Sequence, residues 1–389
     1  MRLGVITPRY PPTMQGGGEI SVKLLAEHLA AHNDVTNVTV FSFDDADETT
    51  EKNGLVIHRV ANVLDRVPEV ANVQAGLAMR RYADEVAACD ILHAYNMALN
   101  PVTGYLAEHH DIPSVATLNS YDILPKATFG VKPKPLRHAY EVLAMPTTGR
   151  ILRSYMRRLD RFITLSEASA SLYRRHGFDD AEFSVVPNML DPDFDPPDHR
   201  AGEEGFNLLY VGSLIPEKGV ESLIRALIGL PVDTRVTVVG DGPESESLHR
   251  LASSLDVMDR VTFTGHLPYE RVRDHYSTAD AFIHPGVWPE PFGRTILEAM
   301  ETGLPVLVSD IGGPAEVIDD PLCRFAPGTP GAIINAVERL RDREDDIGEH
   351  NIRRVRERYS PKRIVCELLE VYSSIGAEYS SSLDIQYQQ

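Results

Sequence analysis

Two glutamates, Glu290 and Glu298, stand eight positions apart in the stretch VWPEPFGRTILEAM (287–300), which also holds the chain's only tryptophan. On one continuous helix that step would set them about 80° apart. Pro289 and Pro291 forbid a helix through the first of them. Glu290 is therefore expected in an irregular segment, and Glu298 about a turn and a half into a helix that begins near Gly293. One carboxylate ahead of a helix and one inside it would grip a ligand at the helix N-terminus. Free N–H groups and the helix dipole favour phosphate there.

Three more loops carry residues of the same kind. Gly16-Gly17-Gly18 precedes the first helix, Gly212-Ser213 leads to Lys218-Gly219, and Gly240-Asp241-Gly242-Pro243 follows a strand. Glycines let the backbone approach a ligand closely, and Lys218 adds a full positive charge. Taken singly, each has an ordinary reading as a turn, a surface lysine or a helix-face carboxylate. Their placement on equivalent loops is what points to a common site.

The elements that must position these loops alternate along the chain. RLGVIT (2–7) reads as a strand, followed by a Pro- and Gly-rich loop and a helix over 20–31 with Val22, Leu25, Ala26 and Leu29 on one face. NVTVFSF, LVIHRV, DILHAY and SVATLN follow as short apolar strands, with helical patterns around 75–88 and 101–109. RFITLSEASASLYRRHG is a strand, an N-cap at Ser166 and a helix ending at Gly177. The stretch DPDFDPPDHRAGEEG (191–205), rich in Pro and Asp, reads as a linker. The pattern then restarts at FNLLYVGS and runs through RVTVVGDG, VTFTG, DAFIHP and LPVLVSD, with helical patterns between. Such alternation implies parallel sheets in two doubly wound domains, 1–190 and 206–359. A last helix, 360–376, opens at the Ser360 cap and is expected to pack back on the first domain; the small, polar tail 377–389 is expected to be disordered.

Composition narrows the class. With 389 residues and 43% hydrophobic residues the chain suits two soluble domains, and no apolar run reaches membrane-spanning length. The start runs straight into a strand, so no signal peptide is expected, and three dispersed cysteines fit a reducing cytoplasm. A net charge of −19 argues against bulk nucleic-acid binding and is of the kind seen in proteins of salt-loving organisms. One segment opposes it: between Pro125 and Arg161 nine basic residues (Lys126, Lys132, Lys134, Arg137, Arg150, Arg153, Arg157, Arg158, Arg161) face only Glu141 and Asp160. The Asp44–Asp47 run, DDAD, reads as a solvated loop, with no metal site expected. His93 reads as a structural histidine at a strand end.

The motifs VGSLIPEKGV, VVGDGPESESL, FTGHLPYERVRDHYSTAD and HPGVWPEPFGRTILEAMETGLPVLVSDIGGPAEVI resemble the successive motifs of the retaining glycosyltransferases of family 4. PRYPPTMQGGGEIS resembles that family's N-terminal glycine loop. The likeness covers nearly the whole chain, least closely at 40–90 and 125–160. It implies the GT-B fold, an α/β arrangement of two Rossmann-like domains facing across a cleft that closes on the donor, a nucleotide sugar linked to UDP or GDP. By this resemblance Glu298 accepts from the ribose hydroxyls and Glu290 holds hydroxyls of the transferred sugar. Amides near Phe292 and Gly293, with Thr295, meet the diphosphate, and Lys218 neutralises the departing phosphate. Gly17 and Gly18 close over the phosphates, Gly212, Ser213, Gly240 and Gly242 shape the donor loops, and His266 and Leu267 border the base.

Two positions depart from the pattern. Ser213 stands where the family often has Arg, which leaves Lys218 as the main phosphate clamp. Asn119, in TLNSYD, stands where many members have a His beside the sugar; it can bond a sugar hydroxyl but cannot act as a base. Lys218, Glu290 and Asn119 are thus the expected catalytic residues. The resemblance implies front-side attack by an acceptor hydroxyl on the donor sugar, the leaving phosphate taking the proton, with no protein nucleophile, cofactor or metal. The acceptor is a carbohydrate or lipid-linked molecule received by the first domain, whose basic stretch 125–161 has two equal readings: contact with anionic lipid headgroups or a lipid-diphosphate acceptor, or a solvated helix face with arginine pairs. Rival readings are a non-catalytic nucleotide-sugar binder and an NAD(P)-dependent oxidoreductase; the latter lacks G-x-G-x-x-G at the first strand. A phosphorylase of the same fold would need a lysine site for pyridoxal phosphate, which the sequence does not show.

Overall fold

A computed structural model describes all residues except 13–15, 45–46, 65–66, 130, 132, 134, 196–204, 344–346 and 387–389; for 127 and 378–386 it describes the backbone alone. The chain divides into two compact units, Met1–Met189 with Pro361–Gln389, and Leu190–Ser360.

The first unit is built on strands β1 (Arg2–Thr7), β2 (Asn37–Ser42), β3 (Glu48–Lys52), β4 (Leu55–Arg59), β5 (Ile91–Tyr95), β6 (Ser114–Leu118), β7 (Arg161–Thr164) and β8 (Phe183–Val185). Their order in the sheet is β3-β4-β2-β1-β5-β6-β7-β8, parallel throughout except for β3 against β4. Apolar side chains leave both faces of the central strands, as parallel sheets require. Leu3 and Val5 of β1, with Val38 and Val40 of β2, enter one core, while Ile6 and Phe41 enter the other. The helix Gly17–Ala30 lays Val22, Leu25, Ala26 and Leu29 on the first of these cores.

The helix that follows Ser360 belongs to this unit, and Ile364, Leu368 and Tyr372 join the same core. His93, fully buried, bonds the Tyr372 hydroxyl through Nδ1 and Thr117 Oγ1 through Nε2, each at 2.7 Å. Burial pushes its pKa down to about 3, so the ring is neutral and ties β5 to the C-terminal helix. That helix continues to Gln386 rather than ending near 376, because Gly376 is followed by Ala377 and Glu378, which carry a helix on.

Two other expectations for this unit change. Strand β3 is missing from the sequence reading because ETTEK is polar and all five residues are exposed; it is held by the two-residue turn Asn53-Gly54, both at positive φ (53° and 77°). Asp44 is also no solvated loop residue. Its side chain is 1% exposed, and it pairs with Arg59 Nη1 at 2.6 Å while accepting from Tyr10 N (2.9 Å) and Ser42 Oγ (2.7 Å). The remainder of that run, residues 45–46, lies outside the described residues, and Asp47 is exposed. Asp44→Asn should cost about 2 kcal/mol in urea denaturation, the worth of a hydrogen-bonded charge removed from a buried pair. A wild-type midpoint would show the pair to be idle.

The second unit carries β9 (Phe206–Val211), β10 (Thr234–Val239), β11 (Val261–Gly265), β12 (Ala281–His284), β13 (Val306–Ser309) and β14 (Arg324–Phe325) in the order β11-β10-β9-β12-β13-β14, all parallel. Helices Pro330–Arg341 and Ile347–Arg358, unread from the sequence, complete it. In both sheets the first strand has its successor on one side and a later strand on the other. The order reverses between β1 and β5 and between β9 and β12, and loops at the carboxyl ends of such pairs are where doubly wound sheets bind ligands.

Candidate functional site

In the second unit the loops after β9 and β12 bring the site together. After β9 the chain passes Gly212 and Ser213 into a short turn, Pro216–Lys218, closed by Gly219 at φ 68°. A Cβ on Gly219 would overlap the carbonyl of Pro285, so glycine is what allows the Lys218 turn to lie against the strand end of β12. Gly240 and Gly242 make the same kind of approach, to the backbones of Gly212 and Leu214. The structure thus uses those two glycines to pack loop on loop.

Lys218 Nζ lies 2.6 Å from both carboxylate oxygens of Glu290. His284, the last residue of β12, places Nε2 2.9 Å from Glu290 Oε2, and its buried Nδ1 has no partner among the described residues. Burial alone would raise the Glu290 pKa. Lys218 and His284 outweigh burial and hold the carboxyl well below the usual carboxylate range, so it is ionised at any ordinary pH. The Glu290 backbone is fixed as well, its carbonyl accepting from Gly313 N at 2.8 Å.

The helix Arg294–Glu301 begins where the prolines require, and Gly293 ahead of it (φ 93°) supplies no side-chain cap. Phe292 is buried against Tyr359, and Thr295 is half-buried in the first turn. Glu298 sits inside the helix at 5% exposure and accepts from two tyrosines of the helix Tyr269–Ser277: Tyr276 to Oε2 at 2.8 Å and Tyr269 to Oε1 at 3.2 Å. Burial raises its pKa, against the opposing pull of Arg294 and the two phenols. Exposed His266 and half-buried Leu267 lead into the helix that carries those tyrosines.

If Glu298 anchors a ligand by accepting hydrogen bonds, Tyr276→Phe should weaken that anchor. The expected result is roughly a tenfold rise in the dissociation constant of that ligand, with kcat nearly unchanged, from the loss of one bond to a buried carboxylate. Titration calorimetry reads the first effect and steady-state kinetics the second.

In the first unit a separate cluster forms at the ends of β1, β5 and β6. Gly16 precedes the helix Gly17–Ala30 with no side-chain cap. A Cβ on Gly18 would stand 3.0 Å from Asn96 Oδ1 and 3.5 Å from Asn119 Nδ2. Asn119 donates to Asn96, and Asn96 holds a φ of 72° that non-glycine residues seldom adopt. The expected residues Gly17, Gly18 and Asn119 are thus neighbours, and Asn96 is their unread partner.

Sequence reasoning also missed His284, Tyr269 and Tyr276. For His284 the available signal was a polar residue closing the apolar strand AFIH, on the strand beside β9. Among the described residues no group of three or more His, Cys, Asp or Glu could hold a metal ion.

The arrangement combines a shielded ammonium beside a fixed carboxylate, an uncapped helix start, and a second carboxylate deep in that helix. Comparison with known proteins bears on the chain as a whole. Residues 15–194 match the family model described as Glycosyltransferase Family 4, and residues 191–358 match Glycosyl transferases group 1. An uncharacterized glycosyltransferase of Methanocaldococcus jannaschii is 25% identical, covering 96% of this chain and 98% of its own. Among solved structures, sucrose-phosphate synthase from Thermosynechococcus elongatus superposes with a TM-score of 0.78 at 20% identity, covering 97% of this chain and 100% of its own. Anabaena HepE, solved in complex with UDP, gives 0.73 at 20% identity, covering 96% and 100%. With two family models spanning its two units in turn, the chain belongs to glycosyltransferase family 4 and is a glycosyltransferase of the GT-B fold.

Proposed function

We propose that the protein transfers a hexosyl group from a UDP- or GDP-linked sugar to a carbohydrate or lipid-linked acceptor, with retention of configuration and without a metal or other cofactor. The observation that carries the reading is the Lys218–Glu290–His284 cluster just ahead of the helix that buries Glu298. Glu298 accepts the ribose hydroxyls, with His266 and Leu267 at the base. The uncapped start of that helix (Gly293 and Thr295) meets the diphosphate. Glu290, oriented by Lys218 and His284, accepts from hydroxyls of the sugar. Lys218 faces the charge that develops on the departing phosphate, the main electrostatic demand of the step. In the first unit the amides of Gly17 and Gly18 offer bonds to phosphate, and Asn119 bonds a sugar hydroxyl. HepE was solved in complex with UDP and also with UDP-glucose, which supports a uridine nucleotide as the first donor to try.

The test is a thermal-shift screen against UDP-, GDP- and ADP-sugars, followed by transfer assays with whichever donor stabilises the protein. Stabilisation by none of them would remove the donor site. Binding without any transfer would leave a nucleotide-sugar-binding protein instead.

A further inference from the structure

The exposed apolar surface is concentrated on one part of the first unit. Ten of the fifteen large apolar side chains standing exposed among the described residues fall between Leu64 and Ile151. The helix Pro135–Leu143 is the clearest case, because its amphipathic order is reversed. Leu136, Val142 and Leu143 are 88%, 57% and 72% exposed. Its charged residues turn inward instead. Arg137 donates to the carbonyls of Asp122 (2.6 Å) and Leu124 (3.2 Å) and to Glu141 (2.8 Å), and Glu141 also accepts from Lys126 N (2.9 Å). A surface helix in water ordinarily does the opposite.

Two neighbouring helices extend this face. Val70, Val73 and Leu77 point outward at helical spacing on Pro68–Met79, and Ile151 does so on Thr148–Met156. The three helices are tied through Glu69, which accepts from Tyr140 (3.2 Å) and Thr148 (2.6 Å). Two cavities, of about 620 and 710 Å³, open along the face, and Leu152 lines both. Arg80 and Arg153 stand at these cavities and exposed Arg150 beside them; none of the three has an ion-pair partner among the described residues. Contiguous apolar surface of this extent marks an interaction site.

We infer that this face docks on an anionic membrane surface. The reversed helix and its neighbours enter the boundary between headgroups and acyl chains, and Arg80, Arg150 and Arg153 meet lipid phosphates. The charges choose the occupant. In a two-fold contact with a second copy, the same patch would meet itself and bring these unpaired arginines together. In a chain of net charge −19, unpaired cations beside outward leucines fit a negatively charged bilayer. The surface lies wholly in the first unit, and its test by vesicle binding needs no donor.

The experiment is flotation of the full chain with phosphatidylcholine vesicles, with and without phosphatidylglycerol. Binding is expected only when phosphatidylglycerol is present. Arg150→Gln with Arg153→Gln should weaken it about thirtyfold, two basic contacts being lost from an anionic surface. Leu136→Ser with Leu143→Ser should weaken it comparably, with an unchanged melting temperature because both side chains are exposed. Absence of binding, equal binding to neutral vesicles, or wild-type flotation of both variants would overturn the inference. So would a dimer in light scattering that Leu136→Ser with Leu143→Ser dissolves, since the face would then belong to a second copy.

Discussion

Lys218→Ala should lower kcat about a thousandfold, some 4 kcal/mol of transition-state stabilisation, the scale of removing one preorganised donor from a developing anion. Two consequences of the geometry converge on this residue. Its side chain is only 18% exposed, so its charge is poorly screened, and no other lysine or arginine is paired with Glu290 among the described residues. Removing it also leaves the Glu290 carboxylate with His284 as its remaining counterpart. Glu290 titrates below its ordinary value in the folded protein. Its contribution to stability is therefore present above the ordinary carboxyl pKa and is lost as pH falls through the lower folded value. In Lys218→Ala that folded value moves up, so acid unfolding should begin at higher pH than in wild type. Kinetics with the identified donor and an acid-unfolding curve check both halves. A variant within tenfold of wild type would remove Lys218 from the phosphate.

Glu290→Gln should reduce kcat at least a hundredfold while leaving nucleoside diphosphate affinity within about threefold of wild type. The substitution keeps size and shape but puts an NH₂ group where Lys218 and His284 both aim donors. One donor must then face another, and Lys218 loses its counter-charge. A nucleotide held at Glu298, as proposed, should notice little. This is the reverse of the split expected for Tyr276→Phe, and the two variants together separate sugar positioning from nucleotide binding. Equal losses of affinity in both would mean that the two carboxylates serve one ligand group.

The positions of the carboxylates were legible because two prolines and a glycine dictate local backbone: Glu290 does lie outside the helix, and Glu298 is its fifth residue. Their partners were not legible, because each comes from a distant segment. Tyr276 and Tyr269 reach Glu298 across 22 and 29 positions, from a helix whose own pattern shows only its length. Lys218 and Glu290, read from sequence as serving different parts of a ligand, are 72 residues apart and in direct contact. Only the order of β9 and β12 in the sheet brings them together. The same limit applies to Asn96, which meets Asn119 and Gly18 because β5 lies between β1 and β6. Strand β3 escaped notice for another reason. It has no apolar alternation, and the Asn53-Gly54 turn was its sole signal. The reversed helix at 135–143 went unread: the sequence showed only an excess of basic residues over 125–161, and which face of that helix turns outward depends on the carbonyls of Asp122 and Leu124 taking up Arg137.

The proposed transfer retains the anomeric configuration of the donor. Proton NMR of the glycosidic linkage formed with the identified donor tests this most directly. The account predicts a product with the anomeric configuration of the donor from the earliest turnovers; a product of inverted configuration would contradict it.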